Sequence, residues 1–264
     1  MTPRNFLIRG LIAGFVAGLL TFFVSYTVGE IQVDAAIAIE EAGSEEAGHS
    51  HGEEAEAGHS HEEEDAGGIE VSRSAQKTWG LLTGTLAVSV VIGGLVSLIA
   101  AGVAGRLRGL SVGQSTALVT FLGFIGFALV PFLKYPAAPP AVGSGDTIGQ
   151  RTALFFGFLA VSLVGIVAAT YLANRLAGKI GAFNAVASGI LTYVAITVIA
   201  AIAFPVVNEL GDFPADVLWS FRISSLFTLA TMWGVIGLVL TGLVLKLEQS
   251  EFDESVRKEL AASL

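Results

Sequence analysis

Residues 10–28 read GLIAGFVAGLLTFFVSYTV. The stretch holds no Asp, Glu, Lys or Arg. At 1.5 Å per residue a helix of this length spans about 28 Å, close to the ~30 Å hydrocarbon layer of a bilayer. Inside lipid every backbone N–H and C=O must find a partner within the segment, so such a run has to be helical. Five more runs follow at about 79–104, 115–133, 152–174, 183–205 and 224–246. Their cores carry no Asp or Glu, and Lys or Arg only in the last residue or two. The reading is an all-α polytopic membrane helix bundle of about six transmembrane helices in three hairpins, with residues 1–264 as a single membrane domain. Composition agrees. The chain is 53% hydrophobic and 14% charged, against about 25% charged in soluble domains, and its mean hydropathy is +0.72.

Arg4 and Arg9 precede the first run, and Ala36-Ile37-Ala38 resembles a leader cleavage site. The apolar run is longer than the 7–15 residues typical of a leader's hydrophobic region, which favours a retained helix. Lysine and arginine near helix ends set orientation. Nine lie on the side of Arg4, Arg106, Arg175 and Lys246, and five on the side of Arg73, Lys134, Arg151 and Arg222. Both termini are therefore expected in the cytoplasm of a cell-membrane protein, with the stretch 29–78 outside. The net charge of −9 is local, since 14 of 23 acidic residues lie between Glu30 and Glu70.

Two patterns recur. Each outer loop ends on an arginine before the returning helix (Arg73, Arg151, Arg222), and two inner turns share R-L-x-G at Arg106–Gly109 and Arg175–Gly178. A tandem of parallel hairpins and the shared needs of helix ends both account for this. Gly10, Gly14 and Gly18 form two linked GxxxG steps, which let a helix approach its neighbour closely. Bundle packing suffices for them; a partner helix or a homo-oligomer is the other reading.

All four histidines sit in one segment, as His49-Ser50-His51 and His59-Ser60-His61, and each pair is followed by acidic residues. With few apolar residues, the stretch 43–68 cannot build a core and is expected to be a disordered His/Glu-rich loop. Imidazoles at i and i+2 in a flexible chain can reach one ion, and Glu53, Glu54, Glu62 and Glu63 add oxygen ligands. Imidazole suits cobalt, nickel, copper and zinc, so the loop alone does not choose among them. No cysteine is present, which removes thiolate sites. No tightly bound cofactor is expected.

Other polar groups cluster beside the membrane. PFLKYPAAPPAVGSGDTIGQR (131–151) holds Lys134, Asp146 and Arg151, with Asp146 expected to pair with Lys134 or Arg151 because unpaired charge at membrane depth is costly. FPVVNELGDFPADVLWSFR (204–222) holds Asn208, Glu209, Asp212, Asp216 and Arg222, with Asp216 placed to cap the last helix or to pair with Arg222. Glu30 and Asp34 stand in the same relation to the first helix. Three acid-bearing corners at one mouth would form a cation funnel. Lys134 and Arg151 would otherwise be helix-end anchors. No P-loop or H-E-x-x-H motif occurs, and Gly143-x-Gly145-x-x-x-Gly149 has the wrong spacing for dinucleotides. Neither an enzyme nor a nucleic-acid partner is expected.

Several pieces together resemble the CbtA family of probable cobalt transporter subunits. They are Arg9 followed by GLIAGFVAGLL, GEIQVDAAIAIEEAG (29–43), the acidic HSH loop, VSRSAQKTWGLL (71–82), VPFLKYPAAPPAVGSGDTIGQRT (130–152), FPADVLWSFRISSL (213–226) and Trp233. The resemblance implies cobalt(II) as substrate, taken up for cobalamin synthesis, and a small single-helix CbtB-like membrane subunit as partner. It also implies five helices, where the apolar runs number six. Nickel, zinc or broad divalent-cation transport, and a membrane metal-binding subunit that transports nothing alone, are the rival readings.

Overall fold

The computed structural model describes residues 2–48 and 72–263. It contains six helices long and apolar enough to cross a membrane: α1 (Pro3–Gly43), α2 (Arg73–Val103), α3 (Val112–Lys134), α4 (Ile148–Ile180), α5 (Ala182–Ala203) and α6 (Ala215–Ala262). No strand occurs among the described residues. Six helices match the count of apolar runs, not the five implied by resemblance.

Most helices outrun the apolar stretches that announced them. Apolarity marks where a helix meets lipid, whereas helical backbone stops only at a breaker. Thr2 caps α1 by accepting from the Asn5 N–H, with Pro3 in the first turn. The helix then continues through Gly48, into the stretch expected to lack structure. The rest of that stretch, with all four histidines, lies outside the described residues. At 48 residues α6 is about 72 Å long, more than twice the hydrocarbon thickness. Stops are sharp where glycine or proline supplies them. Gly181 takes φ +83° between α4 and α5, and Pro205 follows the end of α5.

Three helices contain π-turns, at Ser25–Gly29 in α1, Gln76–Gly80 in α2 and Phe124–Leu129 in α3. In α3 the reason is in the sequence. Pro131 has no N–H and would press on the carbonyl one turn back, and the widened turn before it accommodates that break.

The core is built on α1, α2 and α6. The small face of α1 packs against α2: a Cβ on Gly14 would lie 2.6 Å from Val90 Cα, and one on Gly93 would lie 2.9 Å from Gly14 Cα. The GxxxG steps are thus used inside the chain. Phe6, Ala13, Ala17, Ile92, Val96, Trp233, Ile236 and Leu240 fill the buried centre. Helix α3 packs along α6, with Gly123 facing the Trp233 ring. Helices α4 and α5 pair with each other and join the rest through α3. There Ser162 Oγ donates to the Gly126 carbonyl at 2.8 Å, which leaves the Tyr193 hydroxyl to donate to Ser162, also at 2.8 Å.

The loops sort to two faces. On the turn face, Asn174 of α4 holds the α2–α3 turn, accepting from the Arg108 N–H and donating to the Arg106 carbonyl. Arg9 donates to the Leu243 carbonyl near the same face. On the opposite, loop face, Tyr135 donates to the Pro205 carbonyl at 2.8 Å, tying the α3–α4 loop to the α5–α6 loop.

Candidate functional site

The loop face holds the described polar groups singled out above, and they fall into separate corners. In the first, α1 and α2 leave the bilayer side by side. Glu30 and Asp34 are one helical turn apart on α1, and Arg73 and Lys77 are one turn apart on α2. Arg73 Nη2 donates to Glu30 at 2.5 Å and to Asp34 at 3.0 Å, while Lys77 pairs with Asp34. Glu30 is only 9% exposed. Both carboxylates of this corner are thus engaged by cations of the chain.

In the second corner the carboxylate is Glu209. Its Oε2 accepts from the Ser144 N–H at 3.2 Å and from Thr147 Oγ1 at 2.9 Å, and it lies 3.6 Å from Arg151 Nε. Arg151 also donates to the Ser144 carbonyl at 3.1 Å. Gly143 allows this approach: it takes φ +97°, and a Cβ there would sit 2.7 Å from the guanidinium carbon. Lys134 turns to the end of α5 and donates to the carbonyls of Ala201 (2.8 Å) and Phe204 (3.0 Å). These C-terminal carbonyls have no partner in their own helix and carry the negative end of its dipole. Asp146 therefore receives neither Arg151 nor Lys134; it is exposed, with its backbone N–H on Ser144 Oγ.

Asn208, Asp212 and Asp216 are exposed. Asp216 lies in the first turn of α6, where a negative charge is favourable, but makes no capping bond; Pro214 holds the cap position. Asp216 and Arg222 form no ion pair among the described residues. The Arg222 Nε is buried without a hydrogen-bond partner among them.

A cavity of about 570 Å³ opens between the loops and the adjoining ends of α3, α4 and α6. Lys134, Arg151, Arg222 and Glu209 all line it. Its other walls are largely apolar, with Phe127, Phe132, Phe155, Phe156 and Leu229. Three cations and one carboxylate thus line it. Among the described residues no group of three or more His, Asp or Glu is placed to hold a metal ion. His49, His51, His59, His61, Glu53, Glu54, Glu62 and Glu63 lie outside those residues.

The model of a protein family described as "Probable cobalt transporter subunit (CbtA)" matches residues 3–245. The chain belongs to the CbtA family. The matched span takes in five of the six helices whole, most of α6, and the HSH segment. No curated protein and no solved structure matches the chain. As a CbtA member it is a multi-pass membrane protein of a transporter-subunit family, and a subunit has a partner.

Two partnerships were not anticipated from sequence, though both left a signal. Arg73 and Lys77 repeat the four-residue spacing of Glu30 and Asp34, as two facing helices require. Ser144 and Thr147 flank Asp146 in sequence, yet the Thr147 hydroxyl and the Ser144 N–H serve Glu209 from another loop.

Proposed function

We propose that this CbtA-family chain takes part in carrying cobalt(II) inward across the cytoplasmic membrane, in support of cobalamin synthesis. The observation that carries this reading is a cobalt-transporter family match running through a segment with two HSH units. In this reading the loop face is extracytoplasmic and both termini are cytoplasmic, in line with the nine-to-five split of basic residues. His49, His51, His59 and His61, helped by Glu53, Glu54, Glu62 and Glu63, collect the ion. The exposed carboxylates Asp146, Asp212 and Asp216 raise its local concentration. Glu30, Asp34 and Glu209 brace the structure, since each is already engaged by arginine or lysine.

A second reading has its own support: the chain alone does not conduct. The apolar runs contain no carboxylate and no imidazole. Among the described residues the buried polar side chains within the apolar runs are hydroxyls, namely Thr21, Ser25, Ser89, Ser97, Ser115, Thr116, Thr120, Ser162 and Ser224; the buried carboxylate, Glu30, lies beyond those runs and is paired with Arg73. Neutral hydroxyls are poor replacements for the hydration shell of a divalent ion. A small CbtB-like membrane subunit would then complete the route.

Radioactive cobalt uptake into liposomes bearing the chain, alone and with such a subunit, tests both readings. Uptake only with the subunit supports the second, and uptake by the chain alone supports conduction by this protein. Competition by nickel and zinc decides whether cobalt is preferred. No uptake in either preparation overturns the transporter reading.

A further inference from the structure

The loop-face cavity is lined by three cations and one carboxylate, an excess of positive groups that a cobalt route does not require. Arg151 is matched by Glu209, and Lys134 by two helix-end carbonyls. Arg222 is matched by nothing among the described residues, and its buried Nε lacks a partner. An unmatched guanidinium at membrane depth is costly, and Arg is suited to bind phosphate through several N–H groups at once.

Two observations say what kind of anion. Trp219, one turn before Arg222, is 66% exposed, and exposed tryptophans mark the headgroup level of a bilayer. Arg222 thus stands where lipid phosphates lie. Below it the cavity continues along Phe127, Phe156 and Leu229, a wall that suits an acyl chain and gives a free hydrophilic anion nothing. We propose that this cavity binds one acidic phospholipid, its phosphate on Arg222 and a chain against the aromatic wall. The site is independent of which ion the protein carries.

The test uses the full chain, purified in a non-ionic detergent and stripped of lipid by washing. It is titrated with phosphatidylglycerol, with phosphatidylcholine and with inorganic phosphate, and bound mass is read by native mass spectrometry. The expected result is one tightly held phosphatidylglycerol, with phosphatidylcholine and inorganic phosphate each held at least about tenfold more weakly, the size of a charge-assisted contact. Arg222→Gln should lose about tenfold for phosphatidylglycerol, and Arg222→Lys should fall between. Arg175→Gln on the turn face should bind as wild type. Equal affinity of the wild type for the two lipids overturns the proposal without any variant. So does inorganic phosphate binding as tightly as the lipid, which marks a free-anion site. Undiminished lipid binding by folded Arg222→Gln overturns it as well.

Discussion

Arg73 of α2 donates to the Glu30 carboxylate of α1 at 2.5 Å, across 43 positions of sequence. With Lys77 on Asp34, this ladder closes the stretch that contains the histidines and holds its two flanking helices together. The chain between Asp34 and Arg73, which holds both HSH units, thus starts and returns at one corner of the bundle.

Because Glu30 is almost fully buried, removing its partner leaves an uncompensated charge. Arg73→Gln should destabilise the protein by about 2 kcal/mol, between the worth of an exposed and of a buried pair. In a Glu30→Gln background the same change should cost much less. Thermal unfolding in detergent across this double-mutant cycle measures the coupling, and additive losses would mean that the pair does not act as one.

The α1–α2 interface has no room for side chains at its glycines. Gly14→Val and Gly93→Val should abolish the monodisperse folded protein on size-exclusion chromatography, since each Cβ would enter the facing backbone. Gly84→Ala in the same helix α2 meets nothing within 4 Å and should leave the profile unchanged.

At the loop face Lys134→Met takes a charged donor from the Ala201 and Phe204 carbonyls. A loss of about 2 kcal/mol is expected, typical of a hydrogen-bonded charge, read as a lower unfolding temperature. An unchanged temperature would show that water satisfies these carbonyls as well as the lysine does.

Glu209→Gln keeps an acceptor for Ser144 and Thr147 and loses only the Arg151 charge pair. Its stability should drop by about 0.5 kcal/mol, and cobalt uptake should stay at the wild-type level; Asp146→Asn, which removes one of three exposed acids, should lower uptake slightly and only at low cobalt. Collapse of uptake in a folded amide variant would place that carboxylate on the ion's route.

The number of helices was legible because a long run without charge has one stable form in lipid. Helix length was not, because residues 29–43, GEIQVDAAIAIEEAG, are polar in pattern yet rich in Ala, Glu and Ile and hold no glycine or proline between Gly29 and Gly43. The choice of partners was the least legible part. Asp146 lies next to Arg151 in sequence, but the folding of residues 204–214 against 135–147 puts Glu209 there. The cationic balance of the cavity was hidden for the same reason, since its four charged residues come from two separate stretches of chain, 131–151 and 204–222.

Removing residues 44–65, which hold both HSH units, from the chain co-reconstituted with its membrane partner tests the central claim most directly. Radioactive cobalt uptake should fall at low cobalt and match the intact chain at saturating cobalt, as expected of a collector outside the conduction path. Equal uptake by both proteins at every concentration, or complete loss at saturation, would contradict the account.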